Sequence, residues 1–94
     1  MIKSFKSEET EKIFNQLYSR KLPSSIQRTA MRKLWMIHAA ETINDLLIPP
    51  ANRLERLKGN RHEQCSIRIN EQWRICFRWL SGDAYDIEIV DYHN

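Results

Sequence analysis

Glycine and proline are scarce in this chain, two and three residues respectively out of 94. That excludes a collagen-like repeat and argues against a long disordered tail. No apolar run has the length a membrane crossing needs, and no signal-peptide pattern is present. The phosphate-binding glycine motifs, the P-loop and Gly-x-Gly-x-x-Gly, are missing. So is a nucleophile elbow for Ser-His-Asp catalysis. Two cysteines, Cys65 and Cys76, and three scattered histidines, His38, His62 and His93, lack metal-ligand spacing. The expectation is a cytoplasmic protein with reduced thiols, no metal and no organic cofactor.

What is present is one small domain's worth of chain, residues 1–94, expected to bury roughly 60–65% of its unfolded surface. With 41% hydrophobic residues and three tryptophans it needs no covalent staple. The net charge is +3 and the sequence pI about 9.1, which fits a nucleic-acid partner without requiring one. The distribution is more informative. Arg53, Arg56, Lys58, Arg61, Arg68, Arg74 and Arg78 crowd one segment, with only Glu55, Glu63 and Glu71 among them.

The last thirty residues organise the rest. Cys65–Ile69, Trp73–Trp79 and Tyr85–Ile89 each alternate apolar with polar, which predicts a three-stranded antiparallel meander. A slip of one residue would exchange the faces, so apolar residues should pair with each other. With Asn70-Glu71-Gln72 as the turn, Ile69 faces Trp73, Ile67 faces Ile75 and Cys65 faces Phe77. A second turn through Ser81-Gly82-Asp83 pairs Trp79 with Tyr85, Phe77 with Ile87 and Ile75 with Ile89. Cys65 and Cys76 then project from opposite faces, which argues against a disulfide between them. The same register sets Arg68 opposite Arg74. Like charges in a cross-strand pair are destabilising, and a bound polyanion would favour the arrangement. Tyr92 falls on the side of Arg74 and Arg78.

Upstream, Met1–Phe5 reads as a first strand. Ser7 followed by Glu8 and Glu9 starts a helix, whose apolar positions Ile13, Phe14, Leu17 and Tyr18 carry it to Arg20 and Lys21, before Pro23. Ser24 or Ser25 caps a second helix to about Asn44, with Ile26, Ala30, Leu34, Ile37 and Ala40 or Glu41 inward and Met31 and Trp35 widening the stripe. Leu46–Leu57 reads as a loop because of Pro49-Pro50, and Lys58-Gly59-Asn60 turns into the meander. The expected class is α+β in the order β-α-α-β-β-β. A helical hairpin covers one face of an antiparallel-rich sheet and leaves the basic face open.

That face ends in Asp91-Tyr92-His93. Cutting RNA without a metal requires activation of the 2′-OH, stabilisation of the phosphorane and protonation of the leaving 5′-oxygen. Arginine and lysine suit the second task; histidine and tyrosine suit proton transfer. Arg74 would stabilise the phosphate with help from Lys58, while Tyr92 and His93 supply acid–base or orienting groups.

Leu57–Arg61, Ser66–Asn70, Trp73–Phe77 and Glu88–His93, in that order, resemble the HigB toxins of the RelE/ParE toxin–antitoxin superfamily. The likeness covers nearly the whole chain, including Met1–Phe5 and the Pro49–Glu55 stretch. It implies a RelE/ParE-like fold and a ribosome-dependent endoribonuclease that cuts mRNA in the 30S decoding site. It also implies neutralisation by a HigA-like helix-turn-helix antitoxin, DNA being reached only through that complex, and no membrane partner. Carried over residue by residue, the family's functional positions fall on Lys58, Arg74, Asp91, Tyr92 and His93. Some members have a histidine three places before the Lys-Gly turn; here it is Glu55, so catalysis rests more on Tyr92 and His93.

Blander readings stand beside these. Asp91 serves to orient a neighbour or anchor the last strand rather than as a base. Arg53, Arg56, Arg61, Arg68 and Arg78 are RNA- or ribosome-binding positions or solvated charges, and Arg78 faces Asp86 as a structural pair. Trp35, Trp73 and Trp79 are core, Cys65 and Cys76 small buried residues, and His38 an ordinary helical side chain. Two rival functions share the pattern: a ParE-type inhibitor of DNA gyrase, which needs no acid–base pair, and a plain RNA-binding module.

Overall fold

The structure, a computed structural model, describes residues 1–56 and 64–92. Its elements are α1 (Glu8–Phe14), α2 (Ser24–Ala39), β1 (Glu55–Arg56), β2 (Gln64–Arg68), β3 (Trp73–Leu80) and β4 (Asp83–Asp91), with 3-10 turns at Ile43–Leu47 and Pro50–Asn52. The strands form an antiparallel sheet in the order β1-β2-β3-β4. Both helices pack on one face, where Ile13, Ile26, Ala30, Leu34 and Ile37 meet Ile67, Ile75, Phe77 and Ile87. This is the α+β arrangement that the alternation implies. No helix among the described residues is long and apolar enough to cross a membrane.

The first hairpin has the register dictated by its apolar face: Cys65 opposite Phe77, Ile67 opposite Ile75 and Arg68 opposite Arg74. Asn70 closes it, its Oδ1 accepting from the N–H groups of Gln72 and Trp73 at 2.8 Å each, an Asx turn. The second hairpin departs from expectation. Ile75 faces Ile89, but Trp79 faces Ala84 and Arg78 faces Tyr85. The turn takes two residues rather than three, Ser81 (φ 52°) and Gly82 (φ 85°). Positive φ at both positions matches the twist of the flanking strands. A bulge absorbs the difference: β4 sets Asp86 (φ 56°) and Ile87 against the single Phe77. Ala84 therefore takes the core place expected for Tyr85. Tyr85 moves to the open face, where the Arg78 guanidinium lies 5.7 Å from its ring.

The same bulge corrects the reading of Met1–Phe5. The segment makes two isolated parallel bridges, Ile2 with Ala84 and Phe5 with Ile87, instead of a continuous strand. Between them the N–H of Asp86 is diverted to the Ser4 hydroxyl at 2.9 Å. The segment still covers the outer edge of β4, with the N–H groups of Lys3 and Lys6 donating to Ala84 and Ile87.

Helix α1 ends earlier than its apolar spacing suggests. Gln16 adopts φ 67° and Leu17 N–H reaches back to Lys12 O, a left-handed C-terminal cap. Leu17 and Tyr18 are consequently 59% and 65% exposed. The link that follows is pinned by polar groups. The Ser19 hydroxyl donates to Glu9 at 2.6 Å, and the Gln27 amide donates to the carbonyls of Ser19 and Leu22. The Ser19 hydroxyl holds the Glu9 carboxyl below its ordinary value.

Helix α2 begins after Pro23, with no side-chain cap from Ser24 or Ser25, and stops at Ala39 rather than near Asn44. A capping box, Thr42 with Asp45, starts the 3-10 turn there instead. Leu46–Leu57 is likewise not a plain loop: its described part holds the second 3-10 turn and β1. Trp73 and Trp79 pack against the core, but Trp35 is half exposed and stacks on Phe14.

Candidate active site

Arg74 projects from the centre of β3 onto the face away from the helices, yet it is only 6% exposed. Its Nε donates to Ser66 Oγ at 2.9 Å, and its Nη2 donates to the carbonyls of Arg53 (2.6 Å) and Ser66 (3.1 Å). A buried guanidinium needs such acceptors, and here they also fix the direction of the fork. Arg53 supplies its carbonyl from a left-handed position (φ 44°) that ends the Pro50–Asn52 turn. The Nη1 side is left with a long ion pair, 3.9 Å, to Glu55 on β1.

Tyr92, just beyond β4, completes the group. Its N–H donates to Gln72 O at 2.6 Å, its ring lies 5.4 Å from the Arg74 guanidinium carbon, and its hydroxyl donates to Glu55 at 3.4 Å. Arg53, Glu55, Arg68, Arg74 and Tyr92 line a concavity of about 290 Å³ together with Asn70 and Glu71 of the hairpin turn. A larger one, about 460 Å³, shares Glu55 and Tyr92 and runs along the sheet over Cys76 and Val90 toward Arg78. The smaller one faces Arg74 and is the one that matches the expected chemistry.

The structure thus gathers Arg53, Arg68, Arg74 and Tyr92 at one mouth and adds Glu55, the position that departs from the histidine of some relatives. Asp91 lies beside it, opposite Trp73, and accepts from the Gln72 amide at 3.1 Å, as a strand anchor does. Arg56 is exposed on β1, opposite Cys65. Arg78 sits at the far end and pairs with Asp86 at 3.0 Å, though Tyr85 is its cross-strand partner. Lys58, Arg61 and His93 lie outside the described residues. The open face is not uniformly basic: Glu55, Asp86 and Glu88 alternate with its arginines, and Lys6 approaches Glu88 at 3.9 Å.

Burial pushes both thiols, Cys65 and Cys76, up from their ordinary value, so neither is primed as a nucleophile. Cys76 is half-buried on the open face rather than in the core. Two contributors escaped the sequence reading. Ser66 looked like one more polar strand position, and only the fold shows it holding Arg74. Lys33 of α2, 4% exposed, reaches the Arg68 carbonyl at 2.6 Å. Its place between Ala30 and Ile37 on the inward stripe was the available signal.

The fold defines a class. A YafQ mutant from E. coli superposes with a TM-score of 0.62 at 9% identity, over 97% of this chain and 91% of that one. YoeB from Staphylococcus aureus, solved as a dimer, gives 0.59 at 23% identity, over 99% and 95%. Another S. aureus structure holds YoeB in complex with YefM. The family model for the RelE-like toxin of the type II toxin–antitoxin system HigB matches residues 3–93. Toxin HigB-1 of Vibrio cholerae is 49% identical over 65 residues, covering 69% of this chain and 68% of that protein. Endoribonuclease HigB of Proteus vulgaris is 33% identical over 93 residues, 99% of this chain and all of that one. The chain belongs to the HigB-like family of type II toxins. This sets aside the ParE alternative, and an antitoxin is the partner class of such a protein.

Proposed function

We propose that this toxin is a ribosome-dependent endoribonuclease that cuts mRNA in the 30S decoding site and acts in the cytoplasm as a single domain. The observation that carries it is Arg74: a buried, three-fold hydrogen-bonded guanidinium beneath Tyr92, lining an open concavity. The name of the P. vulgaris relative supports the same reaction. The 2′-oxygen attacks the adjacent phosphorus, the P–O5′ bond breaks, and a 2′,3′-cyclic phosphate remains. Arg74, assisted by Lys58, stabilises the charge of the phosphorane. Tyr92 and His93 move the two protons, one from the 2′-hydroxyl and one to the departing 5′-oxygen. Glu55 orients the Tyr92 hydroxyl, and Asp91 anchors the strand end that carries both. Arg53 and Arg68 take flanking phosphates; Arg56, Arg61 and Arg78 are further RNA or ribosome contacts. The antitoxin is of the HigA-like helix-turn-helix kind.

Primer extension on mRNA in a reconstituted translation reaction tests this. Cuts that require ribosomes and disappear in both Arg74→Ala and His93→Ala are expected. A folded wild-type protein that leaves ribosome-bound mRNA intact would end the nuclease reading.

A further inference from the structure

Charge is divided unevenly between the two helices. α1 carries Glu8, Glu9 and Glu11, and its one lysine, Lys12, is paired with Glu9 at 3.3 Å. α2 runs for sixteen residues without an acid and presents Arg28 and Arg32 on its exposed face. These two lie four residues apart, where like charges face each other and destabilise a helix. Among the described residues no carboxylate forms an ion pair with either. Lys33, next along the helix from Arg32, is tied to the Arg68 carbonyl at 2.6 Å, which joins this part of α2 to the hairpin that carries Arg68 and Arg74. Burial first, and then Arg32, Arg68 and Arg74, push the Lys33 amine down, so these cations sit within one another's field.

We propose that Arg28 and Arg32 form a second docking surface, separate from the cleaving centre, that binds the phosphodiester backbone of folded ribosomal RNA. The proposal rests on the ribosome-dependent reading above and adds to it where the ribosome is gripped. Both guanidiniums are exposed, one helical turn apart and without a carboxylate partner among the described residues, which suits successive phosphate oxygens on an RNA strand. The acidic α1 repels the same strand. A polyanion is thereby steered to the α2 edge and on toward Arg68, which orients the site on its substrate. Trp35, one turn further on, has its ring committed to Phe14 and His38, so the surface works by charge rather than base stacking.

The test is binding of purified 30S subunits by wild type and by an Arg28→Gln/Arg32→Gln double variant over a potassium chloride series. Glutamine keeps the helix propensity of arginine, and an unchanged melting temperature together with unchanged antitoxin capture shows that the variant is folded. The affinity of the variant should fall roughly tenfold near 0.1 M salt, and its log–log salt slope should become shallower by about two units, one per lost phosphate contact. Identical affinity and slope in the two proteins would overturn the proposal. So would a variant that loses the antitoxin but keeps the ribosome, which would make the surface a protein-docking one, and so would a wild type that does not bind 30S. A wild type that binds in this salt-dependent way, weakens in the variant and cuts nothing would support the surface while removing the nuclease reading.

Discussion

Arg74 is held by geometry as much as by charge. Among the described residues its hydrogen bonds run from Nε and Nη2 to Ser66 and Arg53, and lysine reproduces neither the fork nor its direction. Arg74→Lys should therefore keep the positive charge and still lower ribosome-dependent cleavage by about 10²–10³-fold, the scale for losing one preorganised donor at a developing anion. Single-turnover cleavage measures this, and a variant within threefold of wild type would show that charge alone suffices. The position of Arg74 was legible, because strict alternation across Trp73–Phe77 leaves only one face for it. Its partners were less so. A backbone carbonyl such as that of Arg53 has no sequence signature, and Ser66 is an ordinary polar strand residue until the pairing with β3 is known. Glu55 could be singled out only as a departure from the family pattern; its contact with both Arg74 and Tyr92 belongs to the fold.

At the scale of elements, the sheet faces were read correctly wherever alternation is unbroken, and misread where one residue was inserted. The second hairpin shows why. Periodicity alone cannot distinguish a three-residue turn with straight strands from a two-residue turn plus a bulge, since both bring Ile75 opposite Ile89. The distinguishing signal is the Ser81-Gly82 pair, which accepts positive φ at both places. Helix ends failed for a related reason. Leu17 and Tyr18 continue the apolar spacing of α1, but the cap at Gln16 and the Ser19–Gln27 hydrogen bonds draw the chain away. The turn gives a direct prediction. Among the described residues a Cβ added at Gly82 would meet only Glu41 O, at 3.6 Å, an ordinary contact, so the cost of Gly82→Ala is conformational rather than steric. It should be about 1 kcal/mol, lowering the melting temperature by about 4–8 °C for a chain of this size. Scanning calorimetry checks it, and an unchanged melting temperature would mean that the turn relaxes to another type.

Across the whole molecule, the helical layer and the sheet are joined over the hairpin that carries Arg68 and Arg74 by a buried amine. Lys33 loses solvent on folding, and that burial, with Arg32, Arg68 and Arg74 as smaller causes, lowers its proton affinity from the ordinary value of 10.5. Between the lowered folded value and 10.5 the unfolded chain holds a proton that the folded chain has released, so stability rises with pH through that window. The two thiols act in the opposite sense. Burial raises them above 9.0, so above that pH the unfolded chain releases its protons first and stability falls. Comparing wild type with Lys33→Met cancels the thiol contribution, because both proteins carry it. The stability of wild type relative to Lys33→Met should therefore increase as the pH rises toward 10.5, whichever protein is the more stable at neutrality. Urea midpoints at matched pH values give the difference directly. Two curves that stay parallel over the whole range would show that the Lys33 amine keeps its ordinary proton affinity in the folded protein. The tether to Arg68 would then impose no burial cost on the charge.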